Sequence, residues 1–198
     1  MKPIAIVISA FLLMQGVFAQ EREAKILFLD STSIKGYGEI KKDKIYFRVD
    51  QKSESTEWDS EMVSGIVFEG YGFSEEYEYV SIKNKKKPVL MEVIERGNLN
   101  LYKDNFYGMK VGIGFTVGSN GVSAGPVGKY DYSESYYVKR VNEDVAINLA
   151  DRFKKMAPEY FSDCPTLIEK IKNKELDVDT IPDIVFYYND YCNDYFEK

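Results

Sequence analysis

The chain has 198 residues, a formal net charge of −6 and no histidine. Without histidine it can hold neither a Ser-His-Asp triad, nor a Cys-His pair, nor a His-ligated metal ion. The acidic balance disfavours nucleic acid, because nonspecific binding to phosphates depends on lysine and arginine. We therefore expect no nucleic-acid partner, and we identify no catalytic residue, no metal site and no cofactor in the sequence.

Residues 1–19 have the pattern of a signal peptide. Lys2 precedes an unbroken apolar stretch at 4–13, and short side chains at Val17 and Ala19 precede a cleavable bond. Such a stretch spans about 15 Å as a helix, roughly half the hydrocarbon core of a bilayer. We expect cleavage after Ala19, a periplasmic or secreted protein, and no integral membrane segment after cleavage.

Residues 20–141 are predicted to form an antiparallel β domain. Short segments rich in Ile, Val, Phe and Tyr alternate with glycine, asparagine and charged turns. This spacing is typical of a mostly antiparallel roll or sandwich, and together with a helical C-terminal segment it predicts an α+β fold. The candidate strands are 25–29, 34–40, 44–49, 62–68, 77–82, 89–95, 98–102, 110–118 and 135–140.

A Gly-rich run at 108–129 forms an insert in this predicted β domain. It does not fit a nucleotide-binding loop. Val117 stands where a dinucleotide fingerprint that starts at Gly112 needs its last glycine. Tyr130 follows Lys129 where a P-loop needs serine or threonine. Phosphate binding by this run is therefore not expected.

The same run instead predicts a β-hairpin. Apolar residues such as Phe115 alternate with glycines, and Asn120-Gly121 is a strong turn signal. Two interpretations stay open: the hairpin covers the core with its apolar face, or it presents an exposed edge for strand addition or self-assembly. The second depends on the absence of charge between Lys110 and Lys129. Phe115, Asn120 and Gly121 are candidate partner contacts.

Residues 142–198 are predicted to form a helical tail packed on the sheet. We expect one helix behind Asn142 that Pro158 interrupts, and a second helix behind Asp163. A third is expected from about Ile181 to Cys192, with Thr180 as a possible cap and Pro182 in its first turn. The apolar stripe of the first helix consists of Val145, Leu149, Phe153 and Met156.

Cys164 and Cys192 are the two cysteines of the chain, at the start of the second predicted helix and the end of the third. In an antiparallel helical hairpin these ends are neighbours, and two cysteines in an exported protein favour a disulfide. The alternative, a redox dithiol, lacks the close C-x-x-C spacing that lowers a thiol pKa. We predict a structural disulfide between Cys164 and Cys192.

The sixteen tyrosines favour recognition over catalysis. Tyr77, Tyr79 and the single tryptophan, Trp58, are candidate contacts with a protein or a sugar ring. Trp58 lies in the acidic stretch 57–61, so a carbohydrate site and, less favourably, a His-free glycosidase with paired carboxylates stay open. The basic cluster at 83–87 is interpreted as a solvated turn.

Several motifs occur together in the last third of the chain: Tyr136-Tyr137-Val138-Lys139-Arg140, Phe153-Lys154-Lys155, Tyr160-Phe161-Ser162-Asp163-Cys164-Pro165, and Tyr188-Asn189 before Cys192. In these motifs the chain resembles small exported proteins of unknown function from environmental Gram-negative bacteria. The resemblance implies a β-rich body followed by a cysteine-closed helical tail, and an envelope or secreted location. It implies no catalytic residues.

The leading hypothesis is an exported, non-enzymatic protein that binds another envelope or extracellular protein. The binding surface would be the tyrosine-rich sheet or the Gly-rich hairpin. A carbohydrate-binding module that uses Trp58 and nearby tyrosines is the second hypothesis, and a His-free glycoside hydrolase is the third.

Overall fold

The computed structural model describes residues 21–70, 72–118 and 121–192, with side chains except at 105–118 and 121–133. The chain divides into two compact units, residues 1–74 and 75–198. The predicted signal peptide and Asn120 lie outside the described residues.

The first unit contains five antiparallel strands in the order β5-β1-β2-β3-β4. The alternation of apolar and polar residues determines which side of each strand faces the core. In residues 44–48, Ile45 and Phe47 are buried and their neighbours are not. The strands are β1 (Arg22–Phe28), β2 (Ser33–Lys41), β3 (Lys44–Arg48), β4 (Thr56–Trp58) and β5 (Val63–Gly70).

A glycine in β2 permits close packing in the core of this unit. Ile26 in β1 lies opposite Ile66 in β5, and both side chains are fully buried. A Cβ atom at Gly38 would lie 2.5 Å from the Ile66 Cδ1 atom, well inside van der Waals contact. Glycine at this position therefore lets Ile66 pack directly over the β2 backbone.

The second unit contains five further strands in the order β10-β9-β8-β7-β6. The pairs β6–β7, β7–β8, β8–β9 and β9–β10 are all antiparallel, and β8 and β9 form one long hairpin of twenty residues a strand. The strands are β6 (Phe73–Val80, which begins at the end of the first unit), β7 (Val89–Glu95), β8 (Leu99–Gly118), β9 (Gly121–Arg140) and β10 (Ile147–Asn148).

Three α-helices follow the strands: α1 (Phe153–Tyr160), α2 (Pro165–Lys172) and α3 (Ile181–Tyr191). A 3-10 turn (Val178–Thr180) leads into α3, and Pro182 lies in the first turn of α3. The predicted α+β class, with mostly antiparallel strands followed by three helices, is confirmed.

The predicted start of the first helix behind Asn142 is wrong, because α1 begins at Phe153. The backbone N–H of Ala146 donates to the Ser81 carbonyl at 2.8 Å, so tertiary bonds replace helical ones there. Arg152 has a left-handed backbone with φ of 56°, which a right-handed helix cannot include. Pro158 lies inside α1 instead of ending it.

The helices α1 to α3, here called the helical segment, bury their apolar stripes against β8 and β9. Asn189 in α3 adds a specific polar contact with the first residue of β8. Its side-chain amide accepts a hydrogen bond from the Leu99 N–H at 3.0 Å and donates one to the Leu99 carbonyl at 2.9 Å. The shared core includes Leu99, Leu101, Val138, Leu149, Phe161, Leu167, Ile184 and Val185.

The predicted disulfide is confirmed: Cys164 precedes α2 and Cys192 follows α3, with their Cα atoms 5.5 Å apart. Both residues are buried in the core of the helical segment. The bond closes a sequence separation of 28 residues that contains all of α2 and all of α3.

Opening this disulfide should lower the free energy of unfolding by about 3 to 4 kcal/mol, because the unfolded chain regains the entropy of the closed loop. Urea unfolding of the oxidised protein and of the Cys164→Ser, Cys192→Ser variant measures the difference. Reductant should destabilise the wild type and leave the variant unchanged. Equal unfolding midpoints for the oxidised protein and the variant would contradict a stabilising role.

Candidate binding sites

A groove of about 840 Å³ lies on the surface of the helical segment, between α1, the end of α2 and the 3-10 turn. We call it the α1–α2 groove. Its volume is in the range of small-molecule sites. Its floor is mostly apolar and includes Phe153, Pro158, Ile171 and Val178.

The groove is lined by apolar residues that α1 and α2, both short helices, leave outside the buried core. Each has eight residues, so each supplies little more than two turns of apolar stripe. Ala157 and Leu167 are fully buried in the core, whereas Pro158 and Ile171 are half-buried and Val178 is 40% exposed. Apolar surface beyond the core stripe is therefore left accessible at the groove.

The rim of the groove is strongly basic, although the chain as a whole is acidic. Its single acidic residue, Asp177, accepts a hydrogen bond from the Asp179 N–H at 3.0 Å and caps the 3-10 turn. Within the part of the chain that the structure describes, the rim cations form no ion pair. These cations are Arg152, Lys154, Lys155, Lys172 and Lys174.

A second, more polar concavity of about 760 Å³ adjoins the first and shares Arg152 with it. Lys83 and Lys85 line it, together with Asp151 and Tyr137. The residues at 83–87 lie in an exposed turn. Two of the basic residues in that turn are thus close to the cationic rim of the α1–α2 groove.

The long hairpin extends well past its neighbours in the second unit. Among the described strands, β7 pairs with β8 only as far as Lys103, and β10 pairs with β9 only at Tyr137 and Val138. The register of β8 and β9 continues without a shift to Gly118 opposite Gly121. We call residues 104–118 with 121–135 the β8–β9 arm; at about 3.4 Å a residue it is roughly 50 Å long.

Pro126 makes the two outer edges of this arm different. In an antiparallel ladder, residue pairs alternate between two kinds. In one kind the two residues hydrogen-bond to each other, and in the other their backbone N–H and C=O groups point away from the partner strand. Counting from the closing pair Gly118–Gly121, the pair Ile113–Pro126 falls in the outward set. Proline has no N–H, so the outer edge of β9 lacks a donor there, whereas the outer edge of β8 contains no proline.

The predicted contact residues fall in both units. Trp58 ends β4 in the first unit, where its ring packs edge-on against Phe28 at 5.8 Å and its Nε1 donates to the Thr56 hydroxyl at 3.0 Å. Tyr77 and Tyr79 lie half-buried in β6.

Two of the other predicted contacts fall on the β8–β9 arm. Phe115 lies in β8, opposite Ala124, and its side chain is outside the described residues. Gly121 opens β9. The prediction that Gly121 is a turn residue is wrong, because Gly121 already pairs with Gly118 as the first residue of β9.

The acidic stretch around Trp58 is engaged in local contacts. Glu57 accepts a hydrogen bond from the Tyr46 hydroxyl at 2.8 Å and pairs with Lys44. The Lys44 ammonium, followed by Tyr46, lowers the pKa of the Glu57 carboxyl. Asp59 accepts a hydrogen bond from the Glu61 N–H at 3.0 Å. A general acid in glycoside hydrolysis needs the opposite, a raised pKa.

Arg140 joins β9 to the helical segment through several hydrogen bonds. Its two terminal nitrogens donate to the two Asp163 carboxylate oxygens at 2.6 and 2.9 Å. They also donate to the Tyr188 hydroxyl at 2.7 Å and to the Tyr160 carbonyl at 2.6 Å. The guanidinium carbon lies 5.0 Å from the ring centres of both tyrosines. Motif residues from three separate parts of the chain therefore meet at one cation.

The electrostatics of this cluster follow from its partial burial. The Arg140 guanidinium lowers the pKa of Asp163, against the raising effect of burial. Burial, together with the hydrogen bond to Asp163, raises the pKa of Tyr188 to about 12. The Tyr160 hydroxyl donates to Glu143 at 2.7 Å, and burial also raises the pKa of Tyr160. The cluster is thus built to stay ionised at Arg140 and Asp163 and neutral at both tyrosines.

In the described residues, no three Cys, Asp and Glu side chains converge in a way that could hold a metal ion. Nor is any helix in the described part of the chain long and apolar enough to cross a bilayer.

The fold and these surfaces define an antiparallel α+β protein with a disulfide-closed helical segment, a basic groove and a long β-arm. Comparison of the chain with known protein families, with curated proteins and with solved structures finds no match. The resemblance to small exported proteins therefore stays a hypothesis that depends on the motifs in the last third of the chain.

Sequence patterning alone does not single out the cations of the α1–α2 groove. Residues 152–155 look like the solvated face of a helix, and 172–174 look like a basic helix end. The sequence offers one signal for this site: closely spaced cations occur both at the start of the first short helix and at the end of the second. Its meaning depends on how α1 and α2 pack, which the pattern does not specify.

Arg140→Met should lower the free energy of unfolding at pH 7 by about 2 to 3 kcal/mol, because it leaves the Asp163 charge unpaired in a partly buried site. Arg96→Met is the matched control. Arg96 also contacts two carboxylates, at 2.6 and 2.5 Å, but its side chain is 45% exposed, so the loss should stay below about 1 kcal/mol. Urea unfolding measures both variants, and equal losses would contradict a special role for Arg140.

The same cluster should make stability depend on pH at both extremes. Because the folded pKa of Asp163 is lowered, its contribution is present above the unfolded value of about 3.9 and is lost as the pH falls further. Because the folded pKa of Tyr188 is raised, its contribution is present below about pH 10 and is lost towards pH 12.

Urea unfolding across this pH range tests both halves. Asp163→Asn should flatten the acid side of the stability profile, and Tyr188→Phe should flatten the alkaline side. Profiles that keep the wild-type shape in both variants would show that other groups control the pH dependence.

Proposed function

We propose that this protein is an exported, non-enzymatic interaction protein that binds a protein partner of the cell envelope or extracellular space. Binding occurs by strand addition along the outer edge of β8 in the β8–β9 arm. The main support for the proposal is the arm itself. Among the described residues, β8 and β9 pair only with each other past Lys103.

An open edge of this length is a favourable binding surface. A two-stranded hairpin is marginally stable in water on its own, and a third strand would satisfy the outward backbone groups of β8. Between Lys110 and Lys129 no charged side chain opposes such pairing. The missing donor at Pro126 makes the β9 edge the poorer of the two.

Two further observations support export and a non-enzymatic role. The buried Cys164–Cys192 disulfide agrees with an oxidising compartment, as does the signal-peptide pattern at 1–19. The lowered pKa of Glu57 makes this carboxyl a poor general acid, which weighs against the glycosidase alternative beside Trp58.

Ile113→Pro should weaken capture of the partner at least tenfold, because it removes an outward N–H from the β8 edge while leaving the bonds between β8 and β9 intact. Ala124→Pro is the matched control, since it removes an outward N–H from the β9 edge. The immobilised full-length mature protein and both variants are exposed to envelope and secreted extracts, and the captured proteins are quantified by mass spectrometry.

We expect a protein captured by the wild type and by Ala124→Pro, with at least a tenfold loss for Ile113→Pro. Circular dichroism establishes that each variant is folded. Equal capture by Ile113→Pro and the wild type would refute edge recognition. Retention of glycans without any protein would favour the carbohydrate alternative at Trp58.

A further inference from the structure

We propose that the α1–α2 groove binds a single-chain amphiphile with a phosphate-type headgroup, such as an alkyl phosphate. The cations of the rim hold the headgroup, and the apolar floor accepts the alkyl chain. This site is separate from the β8 edge, so it does not depend on strand addition by the arm.

Charge complementarity selects an anionic headgroup. Five cations and one acid line the groove, in a chain whose formal charge is −6. The acid, Asp177, already accepts a hydrogen bond from a backbone N–H. Concentrating like charges at one place is unfavourable unless an anion offsets them. A phosphate, with a charge of about −1.5 to −2, matches this excess better than a carboxylate does.

The N-terminus of α1 adds to the positive electrostatic potential of the groove. Lys154 and Lys155 lie in the first turn, where the helix dipole is positive and cations are disfavoured. Within the described residues, no side chain caps this terminus. Arg152, the residue before α1, supplies a guanidinium that can bond two phosphate oxygens. An anion at this end would offset both the dipole and the lysines.

The apolar floor selects an alkyl chain over a free phosphate. Phe153, Pro158, Ile171 and Val178 all line the groove, whose volume of about 840 Å³ exceeds what an inorganic ion would fill. Burial of each methylene contributes about 0.8 kcal/mol, so affinity should rise steeply with chain length. A headgroup site alone would show no such dependence.

Calorimetric titration of the oxidised full-length mature protein with dodecyl phosphate monomers tests the proposal. Decyl phosphate should bind about tenfold more weakly, because two methylenes are missing. Dodecanoate should bind more weakly than dodecyl phosphate, and dodecyl maltoside and inorganic phosphate should bind at least tenfold more weakly. Equal affinity for the maltoside or the inorganic ion would overturn the proposal, as would binding only to anionic vesicles or to acidic peptides.

Two pairs of variants separate this site from general charge effects. Lys154→Gln with Lys155→Gln should weaken dodecyl phosphate binding about tenfold, with less effect at high salt. Lys86→Gln with Lys87→Gln removes the same charge from the exposed turn outside the groove and should leave affinity unchanged. Equal effects of the two pairs would refute the assigned headgroup site.

A matched pair of valine variants tests the role of the apolar floor. Val178→Asn should weaken binding, and Val145→Asn, at a similarly exposed valine outside the groove, should not. Both valines are exposed, so neither variant should unfold the protein. Unchanged affinity in Val178→Asn would show that the alkyl chain lies elsewhere, and would overturn the proposal.

Discussion

The charge-assisted bonds between Arg140 and Asp163 are the interaction that links the end of β9 to the helical segment of the second unit. Helices of eight residues are too short to be stable in isolation, so α1 and α2 persist only because they are held against the sheet. Arg140 provides that attachment at the end of β9, and the disulfide fixes the same region covalently. The α1–α2 groove follows from this attachment, because its floor comes from helices that would otherwise not be ordered.

The charge distribution divides the molecule into surfaces with different chemistry. Most of the chain is acidic and tyrosine-rich, the central part of the β8–β9 arm is uncharged, and the rim of the α1–α2 groove is cationic. An uncharged edge suits pairing between backbones, whereas a cationic rim over an apolar floor suits an anionic amphiphile. A protein with both surfaces could hold a protein partner and a lipid-like ligand at the same time, because different residues form each one.

Local sequence patterns lose their predictive power where tertiary contacts override them. Alternation located most strands, and the Gly-rich run was correctly predicted to form a hairpin. The stripe from Val145 to Met156 nevertheless did not begin a helix at Asn142, because Ala146 bonds to Ser81 and Arg152 has a left-handed backbone. Very short strands such as β4 and β10 carry too few residues for a periodic signal.

By itself, the sequence determined the α+β class and the pairing of Cys164 with Cys192, because period, turn residues and the number of cysteines are local or countable properties. Tertiary structure alone decided which residues meet. It brought Arg140, Asp163 and Tyr188 together from distant segments, and it set five cations around one apolar groove. Such sites depend on the packing of short helices on a sheet, and the angle and register of that packing are fixed by many contacts at once rather than by any single motif.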